Sequence, residues 1–237
     1  MAKRLLVVGA HSADFVWRAA GTLAIVASQG GGATVLALSY GERGESGSLW
    51  KEPGQTVENV KRIRHEQASE AAAIVGADFR CLDLGDYPLV ITGAAMEALV
   101  ELFRDLAPDV VLTHTAKDPF NPDHPVASEA VRRARLLASG AGVASAFKRI
   151  TPPDLYYFEP HQPELCDFEP NTFVDITPVM EQKRRAMGVM TAQSYLQSYY
   201  TDLASRRGNH ARRISGMQEI EHAEAMQRTL PLVVKSL

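Results

Sequence analysis

The stretch Arg4-Leu5-Leu6-Val7-Val8-Gly9-Ala10-His11-Ser12-Ala13-Asp14 decides how the rest of the chain is placed. Its apolar run reads as a first strand over about residues 3–9, and it breaks at a glycine into a loop that carries a histidine and an aspartate. Outward from it, short β-branched runs alternate with longer helical segments. A helix over Phe15–Ser28 precedes a second strand at Ala33–Ser39, and a polar, Gly-rich loop covers about 41–55. Thr56 is placed to cap a long helix over Val57–Val75, and a third strand follows at Arg80–Leu84. Thr92 caps a helix at about 93–106, Pro108 leads into a fourth strand at Asp109–Thr113, and a helix spans about 125–138. This alternation predicts an α/β fold: a Rossmann-like, open, mostly parallel sheet with helices on both faces.

The pattern loosens beyond residue 138. Prolines and short aromatic runs, Leu155–Phe158 and Thr172–Ile176, predict a small β-rich elaboration within 140–176. A helical C-terminal region begins at Thr177-Pro178 and runs to about Ala204, with Met180, Met187 and Met190 as core residues. Arg206–Arg213 reads as a solvated linker and Ala223–Met226 as a short helix. Residues 1–237 are thus expected to form a single domain, a length that encloses a sizeable core.

Composition excludes classes of function. With 25 Lys+Arg against 28 Asp+Glu the formal charge is −3, which gives no reason to expect binding to bulk nucleic acid. No run of apolar residues is long enough for a membrane span, and the N-terminus makes a poor signal peptide. Cys81 and Cys166 stand apart, outside any C-x-x-C pair, so a reduced, cytoplasmic protein is expected.

In an open α/β sheet the carboxyl ends of the strands share one edge, where residues distant in sequence converge. His11 and Asp14 follow the first strand, Glu42 and Glu45 the second, Asp83 and Asp86 fall at the end of the third, and His114 through His124 follow the fourth. His11, Asp14 and His124 offer two imidazole nitrogens and one carboxylate, the ligand count of a catalytic zinc site that keeps a position open. Zinc suits the set, and other divalent ions are compatible with it.

These motifs resemble the PIG-L/LmbE-like superfamily, metal-dependent enzymes best known as N-acetylglucosaminyl deacetylases. The likeness covers about residues 4–200, including Gly41-Glu42-Arg43-Gly44, and implies His11, Asp14 and His124 as metal ligands. Two positions depart from the deacetylase pattern. The general-base aspartate falls on Ala13, and the first histidine of the H-x-D-H motif falls on Asn121, while Asp123 remains as a partner for a histidine. An alanine accepts no proton, and amide hydrolysis needs a base.

The fuller strings from Gly9 to Arg18, Gly41 to Ser46, Gly85 to Pro88 and Phe158 to Glu164 resemble one branch, the 4-oxalomesaconate hydratases of gallate and protocatechuate degradation. The resemblance implies addition of water across the C=C bond of a small polycarboxylic keto or enol acid, giving 4-carboxy-4-hydroxy-2-oxoadipate, in a homo-oligomeric enzyme. A metal would act there as a Lewis acid on a substrate oxygen, or would carry the attacking hydroxide. Glu45 is implied as general acid/base, Glu42 as its rival, and His161 as a second proton-transfer or orienting residue. Arg18 and Arg43 are first choices for gripping carboxylates, ahead of Lys51, Arg64 and Lys117, and Asn121, Ser12 and Tyr87 are candidate hydrogen-bond donors to substrate.

Read without the resemblance, both glutamates are loop residues, His114 is a satisfied core histidine, and Trp17 and Trp50 are packing anchors. An amide hydrolase, such as a zinc-dependent N-acetyl-sugar deacetylase, is the competing enzyme. A nucleotide-binding module is the third reading, and its signal is weak: Gly30-Gly31-Gly32 precedes a strand instead of following one.

Overall fold

In the computed structural model, which describes residues 2–234, strand β1 (Arg4–Gly9) divides its side chains between two cores. Leu5 and Val7 pack on one face with Phe15, Trp17, Leu23, Ala71 and Met187; Leu6 and Val8 pack on the other with Leu99, Phe103 and Val131. A strand buried on both faces needs an almost unbroken apolar run, and this one has it.

The partners are β2 (Gly32–Ala37), β3 (Asp78–Cys81), β4 (Val110–Thr113), β5 (Asp154–Phe158), β6 (Thr172–Asp175) and β7 (Ala223–Arg228). The seven strands form one sheet in the order β3-β2-β1-β4-β5-β7-β6. Strands β1 to β5 are parallel, and β7 runs antiparallel to both β5 and β6. The first core takes its helical wall from α1 (Asp14–Arg18), α2 (Ala20–Ser28), α3 (Val57–Ile74), α6 (Met180–Val189) and α7 (Leu196–Ser215). The second is covered by α4 (Gly93–Leu106) and α5 (Asp123–Leu137). Thr56 and Thr92 cap α3 and α4, accepting from the amides of Asn59 and Ala95. The chain leaves β1 toward β2 on one side and returns through β4 on the other. The crevice between the carboxyl ends of β1 and β4 is therefore the topological switch point where such sheets bind ligands.

Several expectations are corrected. The strands of the β-rich elaboration within 140–176 join the main sheet, where β5 pairs with β4 and β6 is reached through β7. Ala223–Met226 is strand, not helix: its backbone fills the gap between β5 and β6, and the ladder outweighs the helix preference of Ala-Glu-Ala-Met. Arg206–Arg213 belongs to α7, where Arg207 pairs with Glu159 and Arg212 donates to the Ile220 carbonyl at 2.8 Å. The third strand lies at Asp78–Cys81, earlier than expected.

The helix expected over 15–28 breaks at Ala19, and the break has a cause. The Glu224 carboxylate of β7 accepts from the amides of Gly21 and Thr22 at 2.9 and 2.8 Å and from the Thr22 hydroxyl at 2.6 Å, capping α2 from across the molecule. Lys183 of α6 lies 2.6 Å from the same carboxylate and donates to the Trp17 carbonyl at 3.0 Å. Lys183 and Glu224 are both buried, so removing either strands the charge of the other.

Glu224→Ala is therefore expected to lower the unfolding free energy by about 3–5 kcal/mol, read from the urea midpoint. The double replacement Lys183→Met/Glu224→Leu should recover part of that loss. A midpoint unchanged by Glu224→Ala would remove this pair from the account of stability.

Candidate active site

The site is built from the loops that leave β1, β2 and β4. After β1 the chain turns so that Asp14, the first residue of α1, reaches back to accept from the His11 amide at 2.8 Å. Gly9 permits this turn: a Cβ there would lie 2.9 Å from the Asp14 Cβ. After β2, Gly41 adopts a positive φ of 71°, and a Cβ would meet the Glu45 and His11 side chains at 2.9 and 3.1 Å. That glycine lets Glu45 fold over His11. After β4, Asp118 and Asn121 line the loop, and His124 stands in the first turn of α5.

His11, Asp14 and His124 are buried and place one ligand atom each within 4.8 Å of one another. His11 Nδ1 and His124 Nε2 each lie 3.7 Å from an oxygen of Asp14, too far for a hydrogen bond, and neither nitrogen has a hydrogen-bond partner among the described residues. The opposite nitrogens are both engaged: His11 Nε2 lies 3.3 Å from Asp123 Oδ2 and His124 Nδ1 lies 2.7 Å from Asp118 Oδ2. Imidazoles tethered to carboxylates on one side and left free on the other are arranged as metal ligands are, with tautomer and ring orientation fixed from behind. Two buried nitrogens without partners facing one carboxylate fit a divalent cation.

The surroundings bias the three groups differently. Burial and the neighbouring His114 push the His124 imidazole down to about 3, so it is neutral at physiological pH with a lone pair to give. Burial opposes charge on His11, but the hydrogen bond to Asp123 and the charges of Asp14 and Glu45 outweigh it and raise its pKa. Burial likewise opposes ionisation of Asp14, yet His114 and Arg18 hold it well below the usual carboxylate range. Arg18 Nη1 donates to Asp14 Oδ1 at 2.7 Å. His114 is buried, stacks on His124 with ring centroids 3.9 Å apart and stands 3.0 Å from Asp14.

His11, Asp14, Arg18, Asp118 and His124 face a cavity of about 260 Å³ that Ala13, Glu45, Tyr87, Asn121 and His161 also line. Glu45 is gripped at both oxygens: Asn121 Nδ2 donates to one at 2.7 Å and Gln193 Nε2 to the other at 2.6 Å. His161 rests on the Tyr199 ring, centroids 4.2 Å apart, and burial together with Arg18 lowers its pKa.

Three expected site residues lie elsewhere. Glu42 does not line the cavity; its buried carboxylate turns toward Arg43 and Lys61, at 3.4 and 3.8 Å, on the far side of the loop. Glu45, three residues on, turns instead to Asn121 and Gln193. Arg43 is half exposed, and its Nη1 donates to the Asp86 carbonyl at 3.1 Å. Ser12 is buried and donates to the Tyr40 carbonyl at 2.8 Å. Arg18 is thus the one Lys or Arg lining the cavity among the described residues. Of the lower-grade cations, Lys117 pairs with Asp167 at the surface and Lys51 is exposed, while Arg64 is fully buried behind Gln193.

Sequence reasoning missed Asp118 and Gln193. The first stood inside Asp118-Pro119-Phe120-Asn121-Pro122-Asp123-His124, where a carboxylate six residues before a ligand histidine was a readable signal. Gln193 had none, being brought in by a short 3-10 turn (Thr191–Gln193) far along the chain.

A family model described as PIG-L, GlcNAc-PI de-N-acetylase, matches residues 6–135. The chain is 43% identical to the 4-oxalmesaconate hydratase of Pseudomonas putida over 99% of this chain and 92% of that one. The crystal structure of GalB, the 4-carboxy-2-hydroxymuconate hydratase from Pseudomonas putida, superposes with a TM-score of 0.96 at 43% identity, covering 99% of each chain. A 1D-myo-inositol 2-acetamido-2-deoxy-alpha-D-glucopyranoside deacetylase of Rhodococcus erythropolis is 26% identical, over 81% of each chain. The N,N'-diacetylchitobiose deacetylase of Pyrococcus horikoshii shares the fold, with a TM-score of 0.79 at 18% identity over 95% of this chain and 83% of that one.

The tether on His124 yields a test. Asp118→Asn should weaken zinc binding by about 10–100-fold in equilibrium dialysis while the circular dichroism spectrum stays the same. An unchanged affinity would show that the 2.7 Å contact does not prepare His124 for a metal.

Proposed function

The chain belongs to the PIG-L family, and within it we propose a metal-dependent hydratase that adds water to the C=C bond of 4-oxalomesaconate to give 4-carboxy-4-hydroxy-2-oxoadipate. The observation that carries this reading is the 43% identity, over nearly the full length of both chains, to a hydratase. 4-Oxalmesaconate and 4-carboxy-2-hydroxymuconate, the substrates of the sequence relative and the structural relative, are keto and enol forms of one tricarboxylic acid. Ala13 in the cavity wall agrees with it, since a methyl group cannot serve as the base of an amide hydrolase.

His11, Asp14 and His124 would hold the cation, zinc by donor type, and a cation there supplies Lewis-acid polarisation of a substrate oxygen. Hydration takes one proton from water and delivers one to carbon, so a proton acceptor and a proton donor must both face the alkene. Glu45 is suited to the first task. Its carboxylate is held at both oxygens and stands 3.9 Å from His11 Nδ1, next to the face on which the ligand nitrogens converge. His161, on the same cavity wall, is the second proton-transfer or orienting residue. Arg18 meets a substrate carboxylate with its guanidinium, and Tyr87 offers its hydroxyl. Asn121 acts on Glu45, to which its amide already donates. No helix among the described residues is long and apolar enough to cross a membrane. Cytoplasmic residence and homo-oligomeric assembly complete the proposal.

Purified, metal-analysed protein should discharge the conjugated absorbance of oxalomesaconate and release no acetate from N-acetylglucosamine derivatives; acetate release without hydration would overturn the assignment. Glu45→Gln should lower kcat by about 10²–10⁴-fold with metal content retained. Glu42→Gln should leave the rate within about threefold, because that carboxylate faces away from the cavity. The reverse pattern would exchange their roles.

A further inference from the structure

Gln193 lies outside the matched family region, which ends at residue 135, yet its side chain touches the centre of the site. It is buried at the end of a turn held at two points, one a backbone carbonyl and one a side-chain hydroxyl. Ser48 Oγ donates to the Ala192 carbonyl at 2.5 Å, and Gln67 Nε2 donates to Thr191 Oγ1 at 2.8 Å.

The orientation of its amide is forced. Oε1 faces two groups that can only donate, Arg64 Nη2 at 3.2 Å and Trp17 Nε1 at 3.5 Å. The NH2 end must then point the other way, to Glu45 Oε2 at 2.6 Å. A flipped amide would set its N–H groups against a guanidinium and an indole N–H, and its oxygen against a carboxylate. Arg64 is itself rigid: fully buried, it also donates from Nε to the Tyr40 carbonyl at 3.3 Å. The second amide on Glu45 is fixed in the same manner, because Asn121 Oδ1 accepts from the Asp123 amide at 3.0 Å and so turns its NH2 to Glu45.

We propose that Gln193 is a positioning residue for the hydration, transmitting the fixed geometry of Arg64 and Trp17 to the carboxylate of Glu45. Resting on the reading of Glu45 as the acid/base, it assigns Gln193 no contact with the reacting atoms. Its amide keeps one carboxylate oxygen bound, so that the rotation of Glu45 is set before substrate arrives. A charge-assisted hydrogen bond to a group acting in the transition state affects turnover more than substrate affinity.

The test is a double-mutant cycle on the zinc-loaded enzyme with oxalomesaconate as substrate. Gln193→Leu should lower kcat by about 10–100-fold with KM changed less than about threefold and zinc content intact. Gln193→Glu, which keeps the shape and the acceptor facing Arg64 but loses the N–H to Glu45, should fall by a similar factor and guards against a folding defect in the leucine variant. In the Glu45→Gln background, Gln193→Leu should cost less than about threefold, since the group it acts through is gone. Multiplying losses in the double variant, or wild-type kcat in both Gln193 variants, would overturn the inference while leaving Glu45 in its role. A wild-type rate for Glu45→Gln would instead overturn the reading of Glu45 on which the inference rests.

Discussion

The carboxylate of Asp14 is the point to which the sheet, the first helix and the candidate metal centre are all fastened. One oxygen accepts from the His11 amide at 2.8 Å and lies 3.0 Å from His114; the other takes the Arg18 guanidinium at 2.7 Å. Both face a ligand nitrogen at 3.7 Å. A buried carboxylate needs this many partners, and each comes from a different part of the chain: the β1 loop, the residue after β4, and the last position of α1. The strand order supplies that convergence, since β1 and β4 are neighbours although more than ninety residues separate them.

The cavity is acidic for a pocket that is to take a polyanion. Asp14, Glu45 and Asp118 line it, against Arg18 as the one lining cation among the described residues. Each carboxylate is already committed: Asp14 to Arg18, Asp118 to His124, Glu45 to two amides. A divalent cation held among these groups would offset the negative charge that Arg18 alone does not. The formal charge of −3 therefore says little about the site, where positions of opposite sign alternate over a few ångströms.

What was legible in the sequence follows from the range of each interaction. The apolar run Leu5–Val8 and the motif residues directly after β1 and β4 are set by local pattern, so His11, Asp14 and His124 could be named together before any geometry. Glu45 and Glu42 could not be separated, because the choice depends on the turn at Gly41 and on Asn121 across the crevice. Arg43 and Ser12 were drawn in by proximity in sequence to motif residues, yet both face backbone carbonyls outside the cavity. Ala223–Met226 misled for the opposite reason: its local preference is helical, and only the vacant ladder between β5 and β6 makes it a strand. Gln193 was invisible because nothing near it in sequence carries chemistry.

The Glu224 cap on α2 bears on when the protein becomes functional during its synthesis. Glu224 meets Gly21 and Thr22 across a separation of about two hundred residues, and Lys183 braces the carbonyl of Trp17 from the same cluster. Until β7 has emerged from the ribosome and seated beside β5, the start of α2 lacks its cap and Lys183 lacks its counter-charge. The loop that leads into α1 is thus translated first, whereas the cap on the helix that follows it comes from β7, near the other end of the described residues. A chain that ends before β7 would carry His11, Asp14 and His124 but lack the Glu224 carboxylate that caps α2 and pairs with Lys183.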